Sequence, residues 1–384
     1  MNTKSNLPRI AVVTGSRSDW GLVSPVASAL LARSQACEAI LYATGNHFSD
    51  RYGRTIDRVF EQFPEVKCWD VFPPESDVRG LADAHGKLAS IAAEDFGRCR
   101  PTVLIVTGDR TEMLPPAQTA AIMGIPVAHI GGGETTQGAI DERVRACLTA
   151  LSTWHFVGLP EFRDRVLALG ADPKHVFVIG DTALDTVLAQ PDHSDAELVA
   201  WLGFVPDRHT LLVTYHSETE SPDLGIYAFD ALLEVLGKRS ETMVFSFPNA
   251  DAGSAEIIAR LEPFVRADAK RRRLVASLGS RLWVALMRRV GALVGNSSSG
   301  LIEAPSFGLP AVNVGIRQAG RFRARNIIDA RGEVSEIARA VEKALLPAFR
   351  DSLRGLVNPY GDGKSGERAA TTLISLLEPN VPNR

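Results

Sequence analysis

The chain has 384 residues, of which 45% are hydrophobic and 23% charged, and its formal net charge is -3. This length predicts two or three domains with a full core, and the near-neutral charge gives no reason to expect nucleic acid or a membrane as a partner. The sequence has no transmembrane-length apolar run, no signal-peptide core, no Cys-x-x-Cys pair and no histidine cluster, so we expect a cytoplasmic protein without a metal site or cofactor.

The first half of the chain alternates predicted strands and helices. Strands are predicted at 9–14, 38–44, 102–107, 126–130, 154–157 and 176–179, and helices at 22–32, from about 54, at 78–98 and from 141 to about 150. The first strand leads into a loop that carries Arg17 but lacks the dinucleotide-binding glycine pattern. An arginine in such a loop can bind a phosphate through two nitrogens, although the residue alone also fits a solvated surface position.

Three acidic residues of this half follow neighbouring strands. Asp109 comes directly after the strand at 102–107, Glu134 follows three glycines after the strand at 126–130, and Asp141 opens the next helix. Because the carboxyl ends of parallel strands share one edge, we expect the three to lie close together. Clustered carboxylates repel one another and raise at least one pKa, which produces a proton donor beside an ionised base. Separate helix caps and surface acids are the structural alternative.

A polar segment with prolines, residues 190–207, predicts a helical linker, and a second α/β alternation follows it. Its strands are predicted at 210–215, 243–247, 274–276, 292–294 and 311–314, and a final helix is predicted at 369–377. His216 stands at the end of the first of these strands. A histidine in that position can be either a core residue or a functional one.

The strand at 292–294 ends in Gly295-Asn-Ser-Ser-Ser-Gly300, and a helical pattern with Ser298 or Ser299 as its N-cap follows. The start of a helix after a buried strand offers free N–H groups to an anion, and Glu303, one turn further, is placed to accept the two hydroxyls of a ribose. A capped helix with a surface glutamate is the alternative. Two α/β halves of similar size predict two Rossmann-like domains that face each other across a cleft, the second holding a nucleotide and the first acting on its sugar.

Several motifs together resemble those of bacterial UDP-N-acetylglucosamine 2-epimerases, and most closely the hydrolysing branch of that family. The resemblance covers nearly the whole chain and rests on Val13-Thr-Gly-Ser-Arg-Ser-Asp19, Gly108-Asp-Arg110, His129-Ile-Gly-Gly-Gly-Glu-Thr135, Gly138-Ala-Ile-Asp-Glu142, Pro248-Asn-Ala-Asp251, Gly295 to Ser306 and Arg317-Gln-Ala-Gly-Arg321. The Gly-Ala-Ile-Asp-Glu form at 138–142 is the feature that resembles the hydrolysing branch. The Tyr-His-Ser-Glu-Thr segment at 215–219 departs from the more usual Phe-His-Pro form.

The resemblance implies an α/β fold of the glycosyltransferase-B type, with an N-terminal domain at 1–190, a nucleotide-binding domain at 191–364 and a C-terminal helix at 365–384 that returns to the first domain. It also assigns roles to individual positions. The implied catalytic residues are Asp109, Glu134, Asp141 and His216, and the implied substrate-binding residues are Arg17, Asn249, Ser297, Ser298, Ser299, Gly300, Glu303 and Arg321.

The implied activity is a hydrolysing 2-epimerisation that converts UDP-N-acetylglucosamine and water into N-acetylmannosamine and UDP through a 2-acetamidoglucal. Such an enzyme serves sialic-acid-type polysaccharide pathways and is expected to be a homodimer or homotetramer. A UDP- or GDP-linked diacetylated 6-deoxy sugar and a nonhydrolysing epimerase are alternatives within the family. A retaining glycosyltransferase of the same fold would need no trio of acids, and a noncatalytic nucleotide-sugar sensor would be expected to lack at least one of them.

Overall fold

The computed structural model describes residues 7–49, 54–71, 78–135, 140–218, 221–249, 252–276 and 278–378. The chain divides into two compact units: unit 1 comprises Met1–Thr186 with Tyr360–Arg384, and unit 2 comprises Val187–Pro359. Unit 2 is therefore an insertion in the sequence of unit 1. None of the helices in the described ranges combines the length and the apolar character that a bilayer crossing requires.

Unit 1 is built on a parallel sheet that, within the described residues, has seven strands in the order β3-β2-β1-β4-β5-β6-β7. The strands are β1 (Arg9–Thr14), β2 (Glu38–Ala43), β3 (Lys67–Cys68), β4 (Val103–Thr107), β5 (Val127–Ile130), β6 (Trp154–Val157) and β7 (Val176–Val178). The accompanying helices are α1 (Arg17–Leu31), α2 (Ile56–Gln62), α3 (Val78–Cys99), α4 (Leu114–Ile122), α5 (Ile140–Leu151), α6 (Pro160–Ala168), α7 (Ala183–Leu188) and, late in the chain, α15 (Ser365–Leu377). Short 3₁₀ turns occur at Gly45–Phe48, Thr111–Met113 and Pro173–His175.

Unit 2 has a second parallel sheet, with six strands in the described residues and the order β10-β9-β8-β11-β12-β13. Its strands are β8 (Thr210–Thr214), β9 (Thr242–Ser246), β10 (Arg272–Val275), β11 (Ala292–Gly295), β12 (Ala311–Val314) and β13 (Ile327–Ala330). Its helices are α8 (Asp195–Leu202), α9 (Ile226–Gly237), α10 (Ser254–Arg266), α11 (Gly279–Arg289), α12 (Ser299–Ile302), α13 (Val334–Leu345) and α14 (Pro347–Ser352), with a 3₁₀ turn at Ala304–Phe307.

The central strands of both sheets are fully buried runs of Val, Leu, Ile and Ala, as is usual when helices cover both faces of a parallel sheet. Apolar clusters on the two faces of each sheet form the cores. Two parallel sheets with interleaved helices confirm the predicted fold class. The helical segment predicted within 190–207 is α8, which begins with a capping box between Ser194 and Glu197.

The first helix differs from its prediction. We expected it to begin at Leu22, whereas α1 begins at Arg17. The side chain of Ser16 accepts a hydrogen bond from the backbone N–H of Asp19 and therefore caps the helix five residues earlier. The glycine-containing loop after β1 is correspondingly short, and Arg17 lies in the first turn of a helix rather than in a loop.

Helix α15 belongs to unit 1 although it follows unit 2 in the sequence. Its apolar face, which includes Ala370 and Leu373, is part of the same buried cluster as β1 and α1. The backbone N–H groups of Ser365 and Gly366 donate to the carboxylate of Asp185 at 2.9 and 2.7 Å. A Cβ atom at Gly366 would lie 2.6 Å from the backbone of Pro25, so α15 approaches α1 as closely as only glycine permits.

Candidate active site

The carboxyl ends of strands β4 and β5 bring Asp109 and Glu134 to the same edge of the sheet. Thr107 and Ile130 are paired in the sheet, and the backbone N–H of Gly108 donates to the carbonyl of Ile130 at 2.8 Å. The chain then places Asp109 after β4 and Glu134 after β5. Both residues line a cavity of about 90 Å³ at this edge of unit 1. The expectation that they share one edge of the sheet is met in the geometry.

Arg145 is the residue around which the acids gather. Its side chain is only 6% exposed; its guanidinium forms an ion pair with the carboxylate of Asp109 and donates to the carbonyl oxygen of Glu134 at 2.8 Å and to Glu142 at 3.2 Å. A buried arginine balances the charge that the clustered carboxylates would otherwise leave uncompensated. The sequence analysis missed Arg145, although its position four residues after Asp141 on α5 places both side chains on one helix face.

Asp141 occupies the first turn of α5, where its carboxylate has both acidic and basic side chains as neighbours. Burial and the negative charge of Asp109 raise the pKa of the Asp141 carboxyl above its ordinary value, while Arg110 and Arg145 act in the opposite direction. Glu112, close to Arg110, adds a smaller repulsion. Charge repulsion between neighbouring acids was expected from the sequence, and here it acts on Asp141 second only to burial.

A buried histidine supports the strand end that carries Asp109. The Nε2 atom of His129, in β5, lies 2.8 Å from the carbonyl of Gly108, and its Nδ1 atom lies 3.3 Å from the hydroxyl of Thr149. Burial lowers the pKa of His129 to about 4, so the ring is neutral at pH 7. A neutral imidazole has one N–H, which we assign to Nε2 because that atom faces the carbonyl of Gly108. The ring thus holds the turn before Asp109 without adding a positive charge near the acids.

Arg17 lies in unit 1 at the start of α1, with an exposed side chain. Beneath it, Asp19 is buried and accepts a hydrogen bond of 2.8 Å from the hydroxyl of Ser16. Burial, and after it the charge of Glu112, raise the pKa of Asp19 to about 7. The first turn of α1 therefore contains an exposed cation and a buried acid that titrates near neutrality, and the sequence analysis missed the second of these.

In unit 2, His216 follows β8 and is 7% exposed. The backbone N–H of Asn249 donates to its Nδ1 atom at 3.0 Å, so Nδ1 is an acceptor and the single proton of the neutral ring resides on Nε2. Burial, and after it the charge of Arg317, lower the pKa of His216 to about 4. The ring is consequently a neutral hydrogen-bond donor at pH 7, and Asn249 contributes through its backbone while its own side chain is exposed.

Asn296, which follows β11, connects three strand ends of unit 2. Its fully buried side chain accepts from the backbone N–H of His216 at 2.7 Å and donates to the carbonyl of the same residue at 2.8 Å. Its own carbonyl accepts from Gln318 at 2.8 Å and from Arg317 at 3.3 Å, in the loop after β12. Asn296 lay within the motif recognised in the sequence, but its residue type alone gave no sign of this role.

Glu218 is a second residue that sequence reasoning missed. Its carboxylate is buried and accepts from the backbone N–H groups of Ile316 at 3.0 Å and Arg317 at 3.4 Å. Gly315 precedes them with φ +83°, and a Cβ atom there would lie 2.1 Å from the carboxylate. Glu218 thus fixes the loop after β12 to the loop after β8, which explains a glutamate within the unusual segment at 215–219.

The serine-rich loop differs from its prediction. Ser298 occupies the N-cap position, as expected, but α12 covers only Ser299–Ile302, and Glu303 is its C-cap rather than a residue inside a longer helix. Pro305 has no backbone N–H to continue the α-helical pattern, and a 3₁₀ turn follows. The Ser298 hydroxyl does not cap the helix; instead the backbone N–H of Ser299 donates to the hydroxyl of Ser297 at 3.3 Å.

Gly300 packs α12 closely on β12, since a Cβ atom there would lie 3.3 Å from that of Ala311. Glu303 accepts a hydrogen bond of 2.7 Å from the indole nitrogen of Trp283, in α11. Arg321 is half-buried in the segment after β12. The predicted residues of unit 2 are therefore arranged along the carboxyl edge of its sheet, after β8, β9, β11 and β12.

Some positions of the recognised motifs lie outside the described residues. They are Gly138 and Ala139 before α5, Ala250 and Asp251 after Asn249, and Thr219 after Glu218. Among the residues that the structure does describe, no three His, Cys, Asp or Glu side chains converge in a way that could hold a metal ion.

Comparison with known proteins identifies the family. A family model described as UDP-N-acetylglucosamine 2-epimerase matches residues 29–374, which is most of the chain. The chain belongs to the UDP-N-acetylglucosamine 2-epimerase family. Within this family it falls in the hydrolysing branch, because relatives described as hydrolysing match it along nearly its whole length. The recognition made from the motifs, including the branch, is thereby confirmed.

Two curated relatives and one solved structure illustrate this membership of the epimerase family. The chain is 30% identical to the GDP/UDP-N,N'-diacetylbacillosamine 2-epimerase (hydrolyzing) of Campylobacter jejuni, over 90% of this chain and 89% of the relative. It is 31% identical to the UDP-N,N'-diacetylbacillosamine 2-epimerase (hydrolyzing) of Legionella pneumophila, over 96% of each. The Neisseria meningitidis UDP-GlcNAc 2-epimerase, solved with UDP-GlcNAc bound, superimposes with a TM-score of 0.74 at 18% identity, over 96% of this chain and 100% of that structure. This likeness supports the glycosyltransferase-B type of two-domain fold.

Proposed function

We propose that this member of the family catalyses the hydrolysing 2-epimerisation of a nucleoside-diphosphate-linked 2-acetamido sugar. A carboxylate removes the proton at carbon 2, and the bond between carbon 1 and the diphosphate oxygen breaks, which gives a 2-acetamidoglucal and the nucleoside diphosphate. Water then adds its oxygen to carbon 1 while a proton returns to carbon 2 from the opposite face. The products are the free 2-epimerised sugar and the nucleoside diphosphate.

The acids of unit 1 are assigned to the two proton transfers. Removing and returning a proton on opposite faces requires two groups that differ in protonation state. Asp109, ion-paired with Arg145, is placed to act as a carboxylate. Asp141, whose pKa burial and the charge of Asp109 raise, is the better proton donor. Glu134 completes the trio as the second candidate base, and Arg17 is assigned to the diphosphate.

The residues of unit 2 are assigned to the nucleotide. The Nε2 proton of His216 can donate to the departing diphosphate, and the backbone N–H groups and hydroxyls of the loop at 297–300 can bind its oxygens. Glu303, oriented by Trp283, is assigned to the ribose hydroxyls. Asn249 and Arg321 complete the set proposed to contact substrate. His216 serves here as a neutral donor.

The observation that carries the proposal is a buried arginine at the end of the β4–β5 pair that forms an ion pair with Asp109, donates to the backbone carbonyl of Glu134 and acts on the pKa of Asp141. A retaining glycosyltransferase has no need for this cluster, and a nucleotide-sugar sensor has no need for a carboxyl group of raised pKa beside an ion-paired one. The C2 proton chemistry needs both.

Two sugars are candidates for the substrate of this reaction. UDP-N-acetylglucosamine, which would give N-acetylmannosamine and UDP, follows from the family as a whole. A UDP- or GDP-linked diacetylated 6-deoxy sugar follows from the names of the Campylobacter and Legionella relatives, which match the chain at 30% and 31% identity. The chemistry at carbons 1 and 2 is the same for both.

The test is proton NMR of the purified protein with each UDP-sugar, and with the GDP-linked diacetylated sugar, in deuterated water. We expect release of the nucleoside diphosphate and a free 2-epimerised sugar that carries deuterium at carbon 2. An equilibrium mixture of two intact UDP-sugars would assign the nonhydrolysing reaction instead. Absence of nucleoside diphosphate from every substrate would refute the proposal.

A further inference from the structure

A cavity of about 210 Å³ opens beside Asp141 in unit 1, apart from the smaller cavity that Asp109 and Glu134 line. Its polar lining residues are Asn46, Arg110, Glu112 and Asp141. This volume is several times the ~30 Å³ that one water molecule occupies in the liquid. The cavity is therefore large enough for a substituent of several atoms next to a proposed proton-transfer residue.

Helix α3 contributes most of the apolar lining of the cavity. Leu81, Ala84 and Leu88 are spaced at helical intervals and face the cavity together, and Val71 joins them from the segment after β3. Ala84 and Leu88 are buried, while Leu81 is half-buried. We call these four residues the apolar wall.

His85 also lines the cavity. Its Nδ1 atom lies 2.7 Å from the carbonyl of Leu81, and its Nε2 atom lies 2.9 Å from the carbonyl of Thr111. Both carbonyls are acceptors, so a neutral ring donates its single proton to one of them and leaves that proton unavailable to a ligand. A hydroxyl placed against the apolar wall would give up its water without gaining a partner, whereas a methyl group would gain from burial.

The candidate sugars differ along one edge. N-acetylglucosamine carries hydroxyls on carbons 4 and 6, whereas the diacetylated 6-deoxy sugar carries an acetamido group on carbon 4 and a bare methyl as carbon 6. The second sugar thus presents two methyl groups and one amide where the first presents two hydroxyls. A cavity lined by both apolar and polar residues matches methyl groups with an adjacent amide.

We propose that this cavity receives the edge formed by carbons 4 to 6 of the sugar, and that the apolar wall selects a UDP-linked 2,4-diacetamido-2,4,6-trideoxy hexose over UDP-N-acetylglucosamine. The inference rests on the proposed function, since it specifies the substrate of that reaction. The acetamido group on carbon 2 is common to both sugars and plays no part in the selection.

The test measures kcat/KM for nucleotide release from the two UDP-sugars. We expect the wild-type enzyme to prefer the diacetylated sugar by about 10- to 200-fold, the range over which an apolar pocket discriminates small substituents. Ala84→Ser places a hydroxyl in the wall, and Leu81→Gln places an amide at its half-buried end. Each is expected to reduce the preference by about 2- to 10-fold, the worth of one hydrogen bond.

The matched control is Ala93→Ser, which makes the same chemical change at an exposed position of the same helix and should leave the preference unchanged. Equal turnover of both sugars by the wild-type enzyme, or a preference that neither wall variant alters, would overturn the inference while leaving the proposed reaction intact. Failure to release nucleotide from either sugar would instead refute the proposed function and the inference with it.

Discussion

The strand ends of unit 1 and of unit 2 carry their polar groups in different ways. In unit 1 the contacts are between charged groups. Asp109 and Glu142 form ion pairs with Arg145, and the charges of Asp109 and Arg145 act in opposite directions on the pKa of Asp141. In unit 2, neutral groups hold the backbone: the amide of Asn296 bonds both to the N–H and to the carbonyl of His216. One unit is arranged for titration and the other for fixed geometry.

This difference separates two kinds of consequence. A substitution among the charges of unit 1 changes protonation states and should act on the rate of proton transfer. A substitution among the amides of unit 2 leaves buried donors and acceptors without partners and should act on folding and on nucleotide binding. The predictions below test whether the two units separate in this way.

The largest effect is expected from the acids. Asp109→Asn, Glu134→Gln and Asp141→Asn should each lower kcat by about 100- to 10,000-fold, because each removes a proposed proton-transfer group. The affinity for UDP, measured by calorimetry, should be unchanged. Glu161→Gln, an exposed acid on α6, is the control and should retain activity. A variant that loses UDP affinity and rate together would break the separation between the units.

Asn296→Ala should act on stability. It leaves the N–H and carbonyl of His216 buried without their partners, which should lower the free energy of unfolding of unit 2 by about 2–4 kcal/mol and weaken UDP binding. Asn313→Ala is the matched control, because it removes a buried amide of the same sheet whose nitrogen donates to the carboxylate of Asp329 at 2.7 Å. Urea unfolding of both variants measures the difference, and equal destabilisation would contradict the role given to Asn296.

The protonation of a buried histidine in unit 1 should contribute to the pH dependence of the free energy of unfolding. His47 is fully buried between the hydroxyls of Thr14 and Thr55, and burial lowers its pKa from 6.5 to about 4. A lowered pKa favours the neutral ring in the folded state, so its stabilisation is complete above pH 6.5 and is lost as the pH falls towards 4.

His47→Gln removes this dependence. We expect the stability of wild-type protein to fall more steeply than that of the variant between pH 6.5 and 4, by at most about 3 kcal/mol over the interval. Thermal unfolding at a series of pH values measures it. Parallel curves for the two proteins would show that His47 does not hold a lowered pKa.

The smallest effect is expected from removing the hydrogen bond that orients the carboxylate of Glu303. Trp283→Phe removes the indole N–H that donates to its carboxylate at 2.7 Å while keeping an aromatic ring. We expect UDP to bind about 3- to 10-fold more weakly, with kcat at saturation little changed, because the substitution frees the orientation of one nucleotide ligand. Trp201→Phe, at a site of unit 2 that is 61% exposed, is the control. Unchanged affinity in Trp283→Phe would remove Glu303 from the proposed ribose contacts.

Much of the fold could be predicted because its signals are local. Buried parallel strands appear as short runs of β-branched residues, and those at 9–14 and 311–314 coincide with β1 and β12. Asp109 and Glu134 could be placed at one edge of the sheet because they follow β4 and β5 in the sequence. The start of α1 was predicted late because its cap, Ser16, lies in a glycine-containing loop that looked like a turn.

The supporting residues could not be predicted, because their roles arise only from contacts across the sequence. Arg145 meets Asp109 from 36 positions away, and Glu218 reaches Ile316 across 98 positions. A buried arginine and a buried glutamate look like surface residues in a one-dimensional pattern. The short α12 was mispredicted for a local reason: the helical pattern after Ser299 continues through Pro305, which the backbone cannot follow.

The return of α15 to unit 1 has a consequence for synthesis. The core of unit 1 uses Ala370 and Leu373 together with residues of α1, yet the whole of unit 2 is translated between them. The nascent unit that carries the acids therefore exposes the face of α1 that receives α15 until residues 365–377 have left the ribosome. Unit 2 has its complete sequence earlier and can fold first. The unit that begins first in the sequence is thus the one that is completed last.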